Sequence, residues 1–456
     1  MLEAIIKFIG EAVWGPPMLG LFLFTGLLFT VKSGFFQFRG AGTWISQTII
    51  SALKAKNRRS GDGISEFQTL CSALAACIGT GNIVGVATAI YSGGPGAVFW
   101  MWASAALGMM TAYAENVLGI KYRTKNALGE WCGGAMIYMQ RGLGFRRTAK
   151  VFSVFCVAAS LATGNMTQAN SVSDALKSSF GISPVLSGAV CSLLAAFVIF
   201  GGVKRIASVS EKTVPLMSAV FLGLSFAVLF VCRDNLIPAV RMIFSEAFTP
   251  RSLMGFGTFK AMRYGVARGV FSNEAGLGST AIIHCETDTD SPERQGMWGI
   301  LEVFIDTIFM CTVTALVILC SGAFVPGNGV DAAALSAAAY SAVFPAFGGR
   351  LLSLLTAVFA FASLVGWSVY GKKCFGYLTD YRYPKLYTFI YIVLIFAGCA
   401  MKPTLMWNAA DILNGFMALP NLISLILLSR QVTIPEAPYM PRQSRRPQCR
   451  NCSPRC

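Results

Sequence analysis

The chain of 456 residues is 55% hydrophobic and only 13% charged, far below the roughly 25% charge of soluble domains, which excludes a single soluble globule. Its formal net charge is +16, yet the Lys and Arg sit in short stretches between apolar runs, so membrane topology accounts for them and no nucleic-acid partner is implied. Of the 14 cysteines, Cys71, Cys77, Cys156, Cys191, Cys311, Cys320 and Cys399 lie inside apolar runs, where a thiol packs as a small hydrophobe, and no transition-metal site is expected in the spans.

At the start, Glu3 and Glu11 replace the basic region of a secretory signal and no small-residue cleavage site follows, so the segment stays on the protein. Ile5, Ile6, Phe8 and Ile9 against Glu3, Lys7 and Glu11 predict a short helix over 1–12 at the membrane surface. Apolar runs of about 17 to 25 residues then recur, each able to cross roughly 30 Å of hydrocarbon. They fall near 16–31, 66–92, 96–120, 150–175, 184–202, 213–232, 258–284, 296–321, 350–370, 386–401 and 407–429, which makes about eleven spans of an all-α integral membrane protein.

With the N-terminus outside, one face receives Lys32, Arg39, Lys54, Lys56, Arg58 and Arg59, then Lys121, Arg123, Lys125, Arg141, Arg146 and Arg147. Lys204, Arg205, Lys212, Lys372, Lys373, Arg382, Lys385 and an arginine-rich tail fall on the same side, which the positive-inside rule makes cytoplasmic. The other face holds chiefly Arg233, Arg241 and Arg251. The tail also carries Cys449, Cys452 and Cys456, read as part of an unstructured basic segment.

The second and seventh spans are each interrupted by glycines mixed with polar residues: Gly79-Thr80-Gly81-Asn82-Ile83-Val84-Gly85, and Gly269 through Phe271, Ser272, Asn273, Glu274 and Gly276 to Ser279. Both read as broken helices. Packing glycines would recur along one helix face, whereas these are clustered with Thr, Asn, Ser and Glu. Counted from the breaks, spans 2 to 6 and 7 to 11 form two groups of five that enter the membrane from opposite sides, the pattern that points to a secondary transporter's binding site. The expected organisation is 1–65 (surface helix, extra first span, basic loop), 66–232 (first repeat), 233–429 (second repeat with an outer loop) and 430–456 (basic tail).

At these residues the sequence resembles the alanine/glycine:cation symporter family, whose fold is leucine-transporter-like. Gly79 through Ala87, continuing through Gly93-Gly94-Pro95-Gly96 to Trp102, follows that family's signature almost letter for letter. So does Arg268 through Gly276, and further matches are Gln168-Ala169-Asn170-Ser171, Phe304-Ile305-Asp306-Thr307 and Met417-Ala418-Leu419-Pro420-Asn421. Two departures stand out: Ala362-Ser363 replaces a serine pair, which bears on cation stoichiometry, and the stretch after the second break, Thr280 to Glu286, lacks an expected proline. The resemblance implies import of alanine or glycine through a bacterial-type inner membrane with Na⁺, and it carries Gln168 over as a substrate contact.

The chemistry fits such a cargo. Backbone N–H groups around Gly79, Thr80, Gly81 and Asn82 can hold a carboxylate at a half-helix N-terminus, and freed carbonyls near Phe271, Ser272 and Asn273 can accept from an ammonium. Asn165 and Gln168 share a helix face; Ser363 and Trp367 are one turn apart, Trp367 limiting the pocket to small side chains. Gly79, Asn82 and Ser363 offer oxygen ligands to a hard cation such as Na⁺. The intramembrane Glu115, Arg268, Glu274 and Asp306 are expected as ion pairs or gates, with H⁺ as coupling ion if a carboxylate titrates.

An enzyme is disfavoured: the chain holds 1 histidine, His284, read as an end-of-helix polar residue, and it has no HExxH or GxSxG sequence. No cofactor is expected. No repeated filter loop supports a channel, a sensor with a transporter fold is the remaining rival, and oligomeric state is left open.

Overall fold

The computed structural model describes residues 9–10, 12–54, 63–249, 257–325, 332–401 and 403–435. Most of the expected surface helix over 1–12 and the cysteine-bearing tail lie outside these residues. Apart from a hairpin pairing Thr124–Lys125 with Trp131–Cys132, regular structure among the described residues is helical.

In chain order, α1 (Pro16–Lys32) precedes a broken pair, α2 (Glu66–Cys77) and α3 (Val86–Gly93). There follow α4 (Gly96–Tyr122), α5 (Ala135–Leu143), α6 (Arg146–Phe180), α7 (Pro184–Ile199), α8 (Gly202–Val231) and α9 (Leu236–Ala247). A second broken pair, α10 (Thr258–Asn273) and α11 (Thr280–His284), leads to α12 (Pro292–Cys320), α13 (Ala332–Val343), α14 (Gly348–Leu378), α15 (Pro384–Ala400) and α16 (Pro403–Leu427).

A helix occupies every expected span. One expected boundary moves: the span near 213–232 begins at Gly202, because Lys204, Arg205 and Lys212 point to the exposed side of α8 and need not end it. The stretches read as plain loops also change. Short helices run through 36–54, and α5, α9 and α13 are helical too. In α9, Ala239, Ile243 and Ala247 are its buried residues, a one-stripe pattern at i, i+4, i+8 that lays a helix on its neighbours without crossing a bilayer.

Large apolar side chains point outward from several of these helices. Leu193 and Phe197 on α7, Phe230 on α8 and Phe389 on α15 are each more than 60% exposed, which is the surface expected where hydrocarbon is the solvent. The polar residues turn inward instead: Glu115, Asn165, Glu302 and Asp306 are fully buried.

Side-chain bonds fix which helix ends lie together. Lys32 at the end of α1 donates to the Ser429 carbonyl beyond α16, and Lys121 in α4 donates to the Gln431 carbonyl at 3.1 Å. Arg123 reaches the Thr287 carbonyl at 2.7 Å and Asp290 at 2.8 Å. Ile64, just before α2, bridges Thr287, just after α11. Lys373, near the end of α14, pairs with Glu286 at 2.8 Å and Glu130 at 3.2 Å. Burial pushes the Glu130 carboxyl up, but Lys373 outweighs it and holds the group below the usual carboxylate range. At Glu286 the deeper burial wins and the carboxyl is raised despite Lys373. The basic segments thus gather at one end. The first broken helix leaves that end and the second arrives at it, so the two run antiparallel, as inverted repeats require.

Candidate functional site

The first break starts from a well-fixed helix. Ser65 and Gln68 form a reciprocal capping box on α2, with bonds of 3.1 and 3.2 Å, which satisfies two of its orphan N–H groups. The helix ends at Cys77, the chain opens over 78–80, and a π-helical turn, Gly81–Gly85, leads into α3. The Asn82 side chain folds back to accept from the Gly79 N–H at 3.1 Å, while the N–H groups of Thr80 and Gly81 are claimed by no other described residue. Of the expected anion donors, Gly79 is therefore already engaged.

At the second break, Glu274, Gly276 and Gly278 have φ of 56°, 91° and 78°, a left-handed alternation that turns successive N–H groups to one side. Gly276 and Gly278 donate to the Glu115 carboxylate of α4 at 3.3 and 2.9 Å, and Asn421 of α16 adds a third bond at 2.6 Å. The Glu115 carboxyl group therefore fills this nest from within the protein. Ala275 N–H goes to the Asn273 side chain at 3.0 Å and Leu277 N–H to the Glu274 carbonyl at 3.0 Å. No described N–H of the break returns to the carbonyls of Phe271 or Ser272.

The two breaks touch. A methyl on Gly81 would lie 3.2 Å from the Ser272 Cα, so the backbones approach closely enough that any side chain there would push Ser272 back by a few tenths of an ångström. A methyl on Gly79 would collide with the Ser363 hydroxyl of α14 and stand 3.4 Å from Gln168 Oε1 of α6. Gln168 also accepts from Thr80 at 3.2 Å and follows a second π-helical turn, Ala162–Met166. Ser363 is fully buried, and its hydroxyl has no hydrogen-bond partner. A buried orphan hydroxyl costs about 1–3 kcal/mol unless something meets it.

Asp306 closes the cluster from a third π-helical stretch, Phe304–Cys311; such turns recur at functional sites. Its carboxylate accepts from Asn82 Nδ2 at 2.8 Å, Ser272 Oγ at 2.8 Å and Thr307 Oγ1 at 2.7 Å. Asn273 is bonded to Thr307 at 3.1 Å. Asp306 therefore makes no ion pair among the described residues; it faces hydroxyls and an amide, the oxygen-rich surroundings a hard cation needs. Among the described residues Glu274 likewise makes no ion pair: it accepts from Ser279 Oγ at 2.6 Å, spanning its own break.

Of the four ionisable residues expected to pair, Arg268 does so, and its partner Asp411 on α16 was missed. Their bidentate contact measures 2.5 and 3.2 Å. One turn along each helix, Phe271 packs on Trp407 with tilted rings whose centroids are 5.4 Å apart. Phe271 thus offers its carbonyl to the site while its ring faces α16. Trp367 is buried against Gly164 of the α6 π-turn and Tyr370, 5.3 Å between rings. Asn165 turns away from the cavity face it was expected to share with Gln168 and donates to the Tyr391 carbonyl at 2.6 Å. His284 does end α11, and it is also fully buried, with Nε2 2.8 Å from Glu302 and Nδ1 on Gln295. Asp411 and Glu302 were both readable as ionisable residues within apolar runs.

A cavity of about 620 Å³ lies at the end opposite the basic one, lined by Ile83, Val84, Asp174, Ser336, Arg350 and Trp407 among others. It reaches the first break just beyond Asn82. On the basic side the site is covered by α11 and the Lys373 and Arg123 contacts.

Antiparallel broken helices around a polar centre define a membrane transporter of the leucine-transporter-like fold. The structure of MhsT, solved in complex with L-phenylalanine, superposes with a TM-score of 0.59 at 13% identity, covering 81% of this chain and 90% of that one. The model of the sodium:alanine symporter family matches residues 1–450, and the chain belongs to that family. It is 42% identical over 434 residues to the sodium/alanine symporter AgcS of Methanococcus maripaludis, covering 93% of this chain and 94% of that one. It is 34% identical to the probable sodium/glutamine symporter GlnT of Bacillus subtilis, covering 95% and 89%. The chain is a transporter and not an enzyme.

Proposed function

We propose that this protein imports a small neutral amino acid, alanine or glycine, together with Na⁺ by alternating access. The observation that carries the reading is the meeting of both breaks with Gln168, Ser363 and Asp306 in one buried centre. The substrate carboxylate docks on the open N–H groups of Thr80 and Gly81 with help from Gln168, and its ammonium on the carbonyls of Phe271 and Ser272. Trp367, immobilised on Gly164, walls the side-chain pocket. Na⁺ takes oxygen ligands from Asp306 and Ser272, and the Gly79 backbone with the Asn82 side-chain oxygen and Ser363 offers a second position. The basic end is cytoplasmic by the positive-inside rule, so the cavity faces outward and the membrane is the bacterial-type inner membrane, with N-terminus out and C-terminus in. One charge moved through about 100 mV supplies about 2.3 kcal/mol and a tenfold Na⁺ gradient about 1.4. One ion per substrate then sustains roughly 500-fold accumulation.

The test is uptake of radiolabelled L-alanine and glycine into proteoliposomes, an inward Na⁺ gradient compared with K⁺ at equal pH and potential. Na⁺-dependent uptake, reduced roughly 10- to 150-fold in Gln168→Ala by loss of a charge-assisted hydrogen bond, is the expected result. Uptake driven by a pH gradient and indifferent to Na⁺ would make H⁺ the coupling ion, and no uptake of either solute would end the substrate assignment.

Arg268 and Asp411 join the second broken helix to α16 outside the centre, and we read them as an outer latch. Arg268→Gln is expected to lower uptake about tenfold or more through loss of the pair, while alanine binding in detergent changes less than about threefold. Equal losses in both would place Arg268 in the binding site instead.

A further inference from the structure

The buried strip below the second break contains a group that substrate and Na⁺ binding do not use. His284 ends α11, and both ring nitrogens are engaged by α12: Nε2 by the Glu302 carboxylate at 2.8 Å, Nδ1 by the Gln295 side chain. Gln295 lies in the first turn of α12, at the basic end, and its Oε1 is buried without a partner. As placed, the Gln295 amide gives a hydrogen to Nδ1, so the ring carries its proton on Nε2 and is neutral. Turning that amide by half a rotation breaks no other hydrogen bond and brings the unpartnered Oε1 to Nδ1, where it accepts from a second ring proton. The pocket is thus built to hold the ring with one proton or with two.

The same carboxylate reaches the other broken helix. Cys77, the last residue of α2, lies 3.2 Å from Glu302 Oε1 and 3.8 Å from the Asn273 carbonyl. Glu302 therefore ties the inner halves of both broken helices, α2 and α11, to α12. The groups facing it are acidic or neutral: Asp306 on its own helix, Glu274 at the break, Glu115 on α4 and Tyr370 on α14 all lie within its electrostatic reach. Lys373 is held by Glu286 and Glu130. Asn116 on α4, fully buried with neither amide atom bonded, stands against Gly299 between Gln295 and Glu302.

We propose that His284 and Glu302 form a proton-binding site at the inner gate, so that one transport cycle takes up and releases a proton besides the amino acid and Na⁺. The proton enters from water at the basic end onto Nδ1, while Nε2 keeps its own hydrogen and donates it to the Glu302 carboxylate. With the ring cationic, the bond from α11 to α12 becomes an ion pair and the gate is held shut; loss of the proton loosens it. Histidine is the side chain suited to such a change between about pH 5 and 8. This rests on the symporter reading only for the cycle in which the proton is counted.

Because the chain has 1 histidine, ¹⁵N-histidine labelling of the full transporter in nanodiscs, purified without a histidine tag, gives one imidazole. Its nitrogens are expected to pass from one bound proton to two between about pH 8 and 5, with a midpoint that moves when alanine and Na⁺ are added. In proteoliposomes, uptake is expected to change at least about fivefold with lumenal pH in that range for the wild type and less than about twofold for His284→Gln. A ring that keeps one protonation state throughout, a midpoint blind to alanine and Na⁺, or a wild-type pH profile in His284→Gln overturns the proposal. Na⁺-dependent alanine binding at fixed pH is read in the same nanodiscs: its absence sinks the symporter reading, while the ring titration still decides the proton site.

Discussion

Asp306→Asn is expected to abolish Na⁺-driven alanine uptake and weaken Na⁺ binding by roughly 30- to 1,000-fold, the equivalent of about 2–4 kcal/mol for removing one member of a buried charged contact. The substitution is nearly isosteric and can keep bonds to Ser272 and Thr307, so the helix stays in place while the negative charge goes. Alanine binding should then need far more Na⁺, because the ion and the two breaks share Asn82 and Ser272. The measurement is a Na⁺ titration of alanine binding in purified protein, checked by a thermal melt for folding. If Asp306→Asn keeps the wild-type Na⁺ midpoint, the cation does not sit on this carboxylate, and the Gly79 and Ser363 position becomes the coupling site.

Gly79→Ala is expected to remove uptake altogether, and Ser363→Gly in the same chain to restore part of it. The added methyl meets the Ser363 hydroxyl and crowds Gln168 Oε1 at 3.4 Å, in a centre where overpacking costs about 1–3 kcal/mol and the space is the ligand's. Removing the Ser363 hydroxymethyl group frees that volume but also an oxygen ligand, so recovery should be clearer in alanine binding than in Na⁺ affinity. A double-mutant cycle reads the coupling between the two positions. Two additive losses with no rescue would show that Gly79 acts through backbone freedom alone and not through its approach to α14.

Much of this architecture could be read before any coordinates, for definable reasons. Glycines mixed with Thr, Asn, Ser and Glu inside an apolar run have no cheaper explanation than a break, since open backbone in hydrocarbon must be satisfied by protein or a cavity. The same logic marked Glu115, Arg268, Glu274 and Asp306, because a charge in a span is costly. What they do there was not readable. Arg268 meets Asp411, 143 residues away, and only the packing of α10 on α16 makes them neighbours. Asp306 was expected to pair with a base and instead collects hydroxyls, because α12 bulges into a π-helical stretch that aims it at Asn82 and Ser272. Asn165 and Gln168 share a face on a regular helix, but the π-turn at 162–166 shifts the phase, sending Asn165 to α15. The short helices over 36–54 and in α5, α9 and α13 escaped a search tuned to spanning length. His284 was read as a polar residue at a helix end, which it is; that α12 and α4 bury it there depends on packing the sequence does not spell out.

The nest at the second break has a consequence for how a ligand must enter. Glu115 already takes the N–H groups of Gly276 and Gly278, so the donors of that break are spoken for and only its carbonyls are left for the cavity. Under the proposed reading the centre works like a keyed socket: the carboxylate can plug in at Thr80 and Gly81 and the amine at Phe271 and Ser272, never the reverse. Polarity is then settled before size is sampled, and a dicarboxylic amino acid, with a second anion and no second socket, is turned away by electrostatics ahead of any clash with Trp367.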